Sequence, residues 1–136
     1  MKLMVDGSTV SIEEESDPFA YLREMDGKFE RAILIDERSG VTLEALCVDV
    51  TEEGGAYGLS YSIAGEDREF YASPRKGDLP SVDWVVRHFV SFSKSESGWK
   101  SYSDWDESSR TKSWLSLLLV LVAFLAFFAF LRLGKQ

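Results

Sequence analysis

The sequence predicts an α+β domain, a small antiparallel meander of four to six strands packed by two helices, followed by one C-terminal transmembrane helix. Three observations predict it. Tyr57, Leu59, Tyr61 and Ile63 alternate with Gly58, Ser60 and Ser62, the period of a strand with one buried face. Val82, Val85, Val86, Phe89 and Val90 recur at i, i+3, i+4, i+7 and i+8, the stripe of a helix that packs on a sheet. Between Trp114 and Leu131 the only polar residue is Ser116. At 1.5 Å per residue that run is about 27 Å long, close to the thickness of a bilayer's hydrocarbon core.

The elements follow in order. Leu3 to Val5 and Ser8 to Ile12 flank an Asp6-Gly7 turn and read as a hairpin. Ser16-Asp17-Pro18 supplies a cap and a first-turn proline for a short helix carrying Phe19, Leu22 and Met25 on one face, which Gly27 ends. From Phe29 the period becomes that of strands. Ala32 to Ile35 and Val41 to Val50 flank the turn Glu37 to Gly40, and Glu52 to Gly55 turns the chain into the Tyr57 strand. Gly65-Glu66-Asp67 turns it again into Arg68 to Ala72. Pro74 to Pro80 is a loop before the Val82 helix, and residues 93–98 are a second polar connection. Trp99, Ser101, Ser103 and Trp105 then alternate with Lys100, Tyr102 and Asp104, which predicts a last strand. The domain so read covers residues 1–105, with a polar linker at 106–113, the transmembrane helix at 114–133 and a short tail at 134–136.

The membrane helix sets the expected compartment. Trp114 stands at one end as an interfacial aromatic, and Arg132 and Lys135 at the other can reach the headgroups. Residues 1–15 contain no apolar stretch of the signal-peptide kind. Lys100, Arg110 and Lys112 precede the helix against Arg132 and Lys135 after it. The expectation is a single-pass, tail-anchored protein of the cell membrane with its N-terminal domain in the cytoplasm. The lone Cys47 accords with a reducing compartment.

Charge and composition narrow the chemistry. All 23 acidic residues lie in residues 1–113 against 13 of the 15 basic ones, a net −10 for that part and −8 for the chain. Such a surface repels nucleic acid and attracts basic proteins. One cysteine and one histidine supply no Cys/His zinc cluster, so no metal or other cofactor is expected. A serine hydrolase would have to use His88, which sits on the Val82 helix beyond Trp84. Cys47 lies in an apolar strand with no cation beside it in sequence, the setting of a small buried hydrophobe rather than a nucleophile. Gly54-Gly55-Ala56-Tyr57-Gly58 matches neither phosphate-binding pattern. The reading is therefore non-enzymatic, and the expected activity is binding.

The candidate partner-binding residues are Trp99, Tyr102, Asp104, Trp105, Asp106 and Glu107, aromatic anchors with an acidic rim. The same tryptophans would also serve to cover the sheet. The partners expected are a protein, either a basic toxin or the subunits of a membrane complex, and the bilayer through residues 114–133.

The run Gly58-Leu59-Ser60-Tyr61-Ser62-Ile63, then Leu79-Pro80, the helix Val82 to Phe92 and the closing Trp105-Asp106 give residues 17–107 an order that resembles the small bacterial immunity proteins that neutralise polymorphic toxins. The resemblance implies an acidic α+β domain encoded beside its toxin, often a deaminase or nuclease of nucleic acids. It also implies inhibition by occlusion of the toxin's basic active-site cleft. The membrane helix departs from that pattern and points to a target acting at the membrane. The alternative is a single-span accessory subunit of a larger membrane protein complex.

Overall fold

A computed structural model of the chain describes residues 1–12, 17, 19–95, 97–109 and 118–124. Seven segments take the extended conformation: β1 (Lys2–Val5), β2 (Ser8–Val10), β3 (Arg31–Asp36), β4 (Val41–Thr51), β5 (Gly54–Ile63), β6 (Arg68–Pro74) and β7 (Ser103–Ser109). They pair antiparallel in the order β2-β1-β3-β4-β5-β6-β7. The fold is thus α+β, and the sheet is larger than the four to six strands expected. The extra size has a simple cause. β1 pairs with β3 as well as with β2, Leu3 opposite Leu34 and Val5 opposite Ala32, so the N-terminal hairpin joins the main sheet. That pairing also breaks the meander at one step, because the chain leaves edge strand β2 and returns beside β1.

Local chemistry fixes the turns. Asp6 and Gly7 both have positive φ, +48° and +83°, as a two-residue hairpin turn of the primed type requires. The Asp6 carboxylate then accepts the Glu30 and Arg31 amides at 3.0 and 2.8 Å, tying the turn to the start of β3. At the β3–β4 turn Asp36 accepts the Ser39 hydroxyl at 2.7 Å and the Arg38 amide at 3.1 Å. The Ser39 bond is the larger influence holding its carboxyl below the usual carboxylate range.

One face of the sheet is covered. Helix α1 (Ala20–Glu24), helix α2 (Val82–Ser93) and a 3-10 helix (Ser97–Tyr102) lie against it. Leu3, Val5, Ala32, Leu34, Leu43, Ala45, Tyr57, Leu59 and Tyr61 from the strands meet Phe19, Leu22, Val82, Val85, Val86, Phe89, Phe92 and Trp99 in one core. Ser81 caps α2 by accepting the Trp84 amide at 3.4 Å. The start of α1 is later than the expected cap. Asp17 accepts the Phe19 amide at 3.2 Å, while Ser16 and Pro18 lie outside the described residues.

The C-terminal third needs two corrections. The expected strand at 99–105 is instead a 3-10 helix followed by a strand, and the expected linker at 106–113 begins as strand, since β7 runs to Ser109. The alternation of Trp99, Ser101, Ser103 and Trp105 was misleading. A 3-10 helix repeats every three residues, so Trp99 and Tyr102 share a side, and only from Ser103 does the chain pair with β6. Residues 118–124 are helical with Leu118 to Val122 exposed. Among the described residues no helix is long and apolar enough to cross a membrane. The remainder of the expected span at 114–133, with Trp114, Arg132, Lys135 and the tail 134–136, lies outside the described residues.

Candidate functional site

The six predicted binding residues come together at one edge of the sheet, on unequal terms. Among the described residues β7 pairs only with β6, which leaves its other edge open there. Asp104 stands opposite Ser73, Asp106 opposite Tyr71, and Glu107 opposite Phe70. Because strand side chains alternate, Asp104 and Asp106 project from the uncovered face and Glu107 from the helix-bearing face. All three are exposed, and Arg75 reaches Asp104 only at 3.9 Å.

The aromatic members are held behind those acids. Trp99 is only 7% exposed, edge-on to Tyr61, Phe92 and Trp105 with ring centres 5.1 to 5.5 Å away. Trp105 is half-buried, edge-on to Tyr61 at 4.9 Å, and its indole donates to the Lys100 carbonyl at 2.8 Å. Tyr61 stacks on Phe70 at 4.5 Å, and the Lys100 ammonium sits 4.7 Å from the Tyr61 ring centre, a cation–π distance. Half-buried Tyr102 lies edge-on to His88 and under the Arg87 guanidinium. Trp99 is thus core, as are large parts of Trp105; Glu107 shares their face of the sheet, while Asp104 and Asp106 lie on the other.

His88 is fully buried and so is its serine neighbour. Its Nδ1 lies 2.8 Å from the Trp84 carbonyl and its Nε2 3.0 Å from Ser103 Oγ. A carbonyl only accepts, so Nδ1 carries the proton and Nε2 accepts from the Ser103 hydroxyl. Ser103 Oγ in turn accepts the Trp84 indole N–H at 3.1 Å. Burial is the chief cause pushing the His88 pKa down, so the ring is neutral. This serine–histidine pair has the spacing of a nucleophile and base. Both partners are committed to α2 and the start of β7, and neither has an open side for a substrate.

A second surface was not anticipated. β4 is eleven residues long and β5 ten, but β3 pairs with β4 only as far as Leu46, and β6 pairs with β5 only over Ser60–Ser62. Residues 48–51 and 54–56 therefore overhang the sheet as a two-stranded arm, bulged at Val48 between Cys47 and Asp49. Val48 is 68% exposed, Val50 60%, and Leu79, across a hollow of about 270 Å³ beside the arm, 72%. The arm is braced from below. Asp26 Oδ1 accepts the Gly55 amide at 2.9 Å and the Tyr57 hydroxyl at 2.8 Å, and the Tyr57 amide bonds the Pro80 carbonyl at 2.8 Å. Gly54, at φ +125°, has Asp26's carboxylate where a Cβ would stand, so glycine is required there. Cys47 is half-buried at the arm's base, its thiol 3.4 Å from the Asp49 carbonyl.

The sequence showed Val48 and Val50 as ordinary members of an apolar strand. The usable signal was length, since a β4 of eleven residues outruns its six-residue neighbour β3. On the uncovered face itself Arg31 makes a two-pronged bond to Glu44, both contacts 2.9 Å, within a shallow hollow of about 450 Å³. Among the described residues no three His, Cys, Asp or Glu side chains gather in a way that would hold a metal ion. Compared with family models, with curated proteins and with solved structures, the chain matches none.

Proposed function

We propose that this chain is a non-enzymatic, membrane-tethered protein-binding module whose acidic domain captures a basic protein at the cytoplasmic face of the cell membrane. The observation that carries the reading is the edge strand β7, where Asp104 and Asp106 are exposed on the uncovered face and Glu107 on the other, on a strand held by Trp105 packed against Tyr61 and Trp99. Rigid support lowers the entropy lost on binding, and a domain of net −10 speeds encounter with cations. His88, the chain's one histidine, is occupied in the core, which favours binding over histidine-based catalysis. In its strongest form the module is an immunity protein that covers a toxin's basic cleft.

The test uses the full chain as bait for its partner, followed by affinity against salt. From 0.05 to 0.5 M NaCl the affinity is expected to fall by about tenfold or more, and the triple change Asp104→Asn, Asp106→Asn, Glu107→Gln to remove most of that slope. A flat salt dependence rules out the acidic edge. For immunity, co-expression should rescue cells from the toxin encoded beside it.

The exposed apolar helix at 118–124 also favours a second reading. Such a helix needs cover from lipid or from other helices, and in an accessory subunit of a membrane complex the latter would supply it. Solubilisation in a fixed-stoichiometry complex would distinguish that case from one-to-one toxin binding.

A further inference from the structure

We propose that the overhanging β4–β5 arm, with Leu79 beside it, is the contact surface for a basic protein that offers an apolar groove rimmed by Lys or Arg. This rests on the reading of the chain as a protein-binding module, and it adds where the apolar contact is made.

The arm is unusual for this domain in three independent ways. Val48, beside Gly58 on the uncovered face, and Val50, beside Gly27 on the helix-bearing face, are exposed on the two sides of the arm, and Leu79 is exposed next to it, so a groove that takes the whole arm would meet all three. The charge beside them has one sign. Residues 39–67 contain no Lys or Arg, and the arm itself carries Asp49, Glu52 and Glu53. The flanking loops at 25–30 and 75–81 add Asp26, Glu30 and Asp78 against Lys28, Arg75 and Lys76, which balance and leave the arm's three charges uncancelled. Finally, the arm is stiff where a two-residue-wide projection would ordinarily fray. Asp26, Tyr57 and the Gly27 amide form a closed set of hydrogen bonds at its root, so the apolar tips are presented in one geometry.

Topology also places the arm well for capture. β7 ends at Ser109 opposite Arg68, at the end of the sheet where β5 finishes, and the chain continues from there towards residues 114–133. The arm lies at the start of β5, about 30 Å away at roughly 3.3 Å per residue. The arm is thus at the opposite end of the sheet from the point where the chain leaves β7. Charge selects among occupants. A second copy would set Glu52 and Glu53 against themselves, and an anionic lipid surface would repel them. A basic protein gains from both the apolar and the charged contacts.

The test places a photo-reactive benzoylphenylalanine at Val48 and, in a separate variant, at Asp106 of the full chain in the membranes of cells that make it. The crosslinked peptide is then identified by mass spectrometry. The expected result is one protein linked from position 48 through a segment with apolar residues flanked by Lys or Arg. The yield should fall about tenfold with Val50→Asp plus Leu79→Asp, and severalfold between 0.1 and 0.5 M NaCl. Both sites are exposed, so the unfolding midpoint should not move. If it does, the charge reversal Glu52→Lys plus Glu53→Lys, which alters no packed atom, must give the same loss. A protein linked from 106 and never from 48 overturns the arm and leaves the binding module standing. Links from 48 to a second copy of the chain, or to lipid alone, also overturn it. No linked protein from either position would sink the binding module together with the arm.

Discussion

The Tyr57 hydroxyl donates to Asp26 Oδ1 at 2.8 Å while accepting the Gly27 amide at 2.8 Å, a bond across thirty residues of sequence that roots the β4–β5 arm on the loop after α1. Tyr57 is 2% exposed, and its partners Asp26 and Gly27 are half-buried. Tyr57→Phe leaves the Gly27 amide without its acceptor, and the expected destabilisation is about 1–3 kcal/mol by urea unfolding. Amide exchange at Gly27 and Gly55 should quicken in the same variant, and unchanged exchange would show that the arm does not depend on this bond.

The same phenol predicts behaviour in base. Burial, chiefly, and then the hydrogen bond to Asp26 raise its pKa above the ordinary value near 10. The fold favours the protonated form, so this contribution to stability is complete below about pH 10 and is lost as pH rises beyond it. Absorbance at 295 nm should show that Tyr57, identified by comparison with Tyr57→Phe, does not ionise near pH 10 while the protein is folded.

His88 sets a second pH limit, in the opposite direction. Its folded pKa is lowered, mainly by burial, so above about pH 6.5 it is neutral in both states and costs nothing. As pH falls below that value the unfolded chain gains a proton that the folded chain refuses, and stability declines towards the folded pKa. NMR should find the Nδ1–H tautomer and no titration near 6.5. An imidazole titrating normally would contradict the buried network. Ser103→Ala, which strips partners from both His88 and the Trp84 indole, should lose about 1–3 kcal/mol.

The two tryptophan-bearing segments should respond differently to truncation. Trp99→Ala opens the cluster around Tyr61 and Phe92 and should lose about 3–5 kcal/mol. Asp106→Asn, on an exposed edge, should stay within about 0.5 kcal/mol. Equal effects in thermal or urea unfolding would mean that Trp99 is not core.

Membrane insertion can be checked on residues whose helical state is described. Leu121→Arg with Val122→Arg places two charges in the middle of the apolar run, at about 2.5–3.5 kcal/mol each by insertion scales. The full chain should resist carbonate extraction and the double variant should not. Retention of both in the membrane fraction would count against a span at 114–133.

Much of the fold was written in local patterns. The Asp6-Gly7 turn, the β3 to β6 hairpins and the stripe of α2 each depend on neighbours within about ten residues, where steric preference and hydrophobic period act alone. The candidate site was legible only in part. Asp104, Asp106 and Glu107 announced an acidic segment, but Trp99 read equally well as anchor or core, since an indole suits both until its surroundings are known. Val48 and Val50 were invisible as a surface because a valine is as apolar on an overhang as in a core.

By itself the sequence determined the α+β class, most elements as far as α2, the buried faces of β5 and α2, the acidic composition and the apolar run at 114–131. These are properties of composition and short-range period. Only the tertiary structure decided that β1 pairs with β3, that Trp99 turns inward on a 3-10 helix, and that His88 meets Ser103. It alone decided that β4 and β5 outrun their neighbours. The physical reason is that a strand's exposure depends on where its partners end, and partners are chosen by packing between segments far apart in the chain.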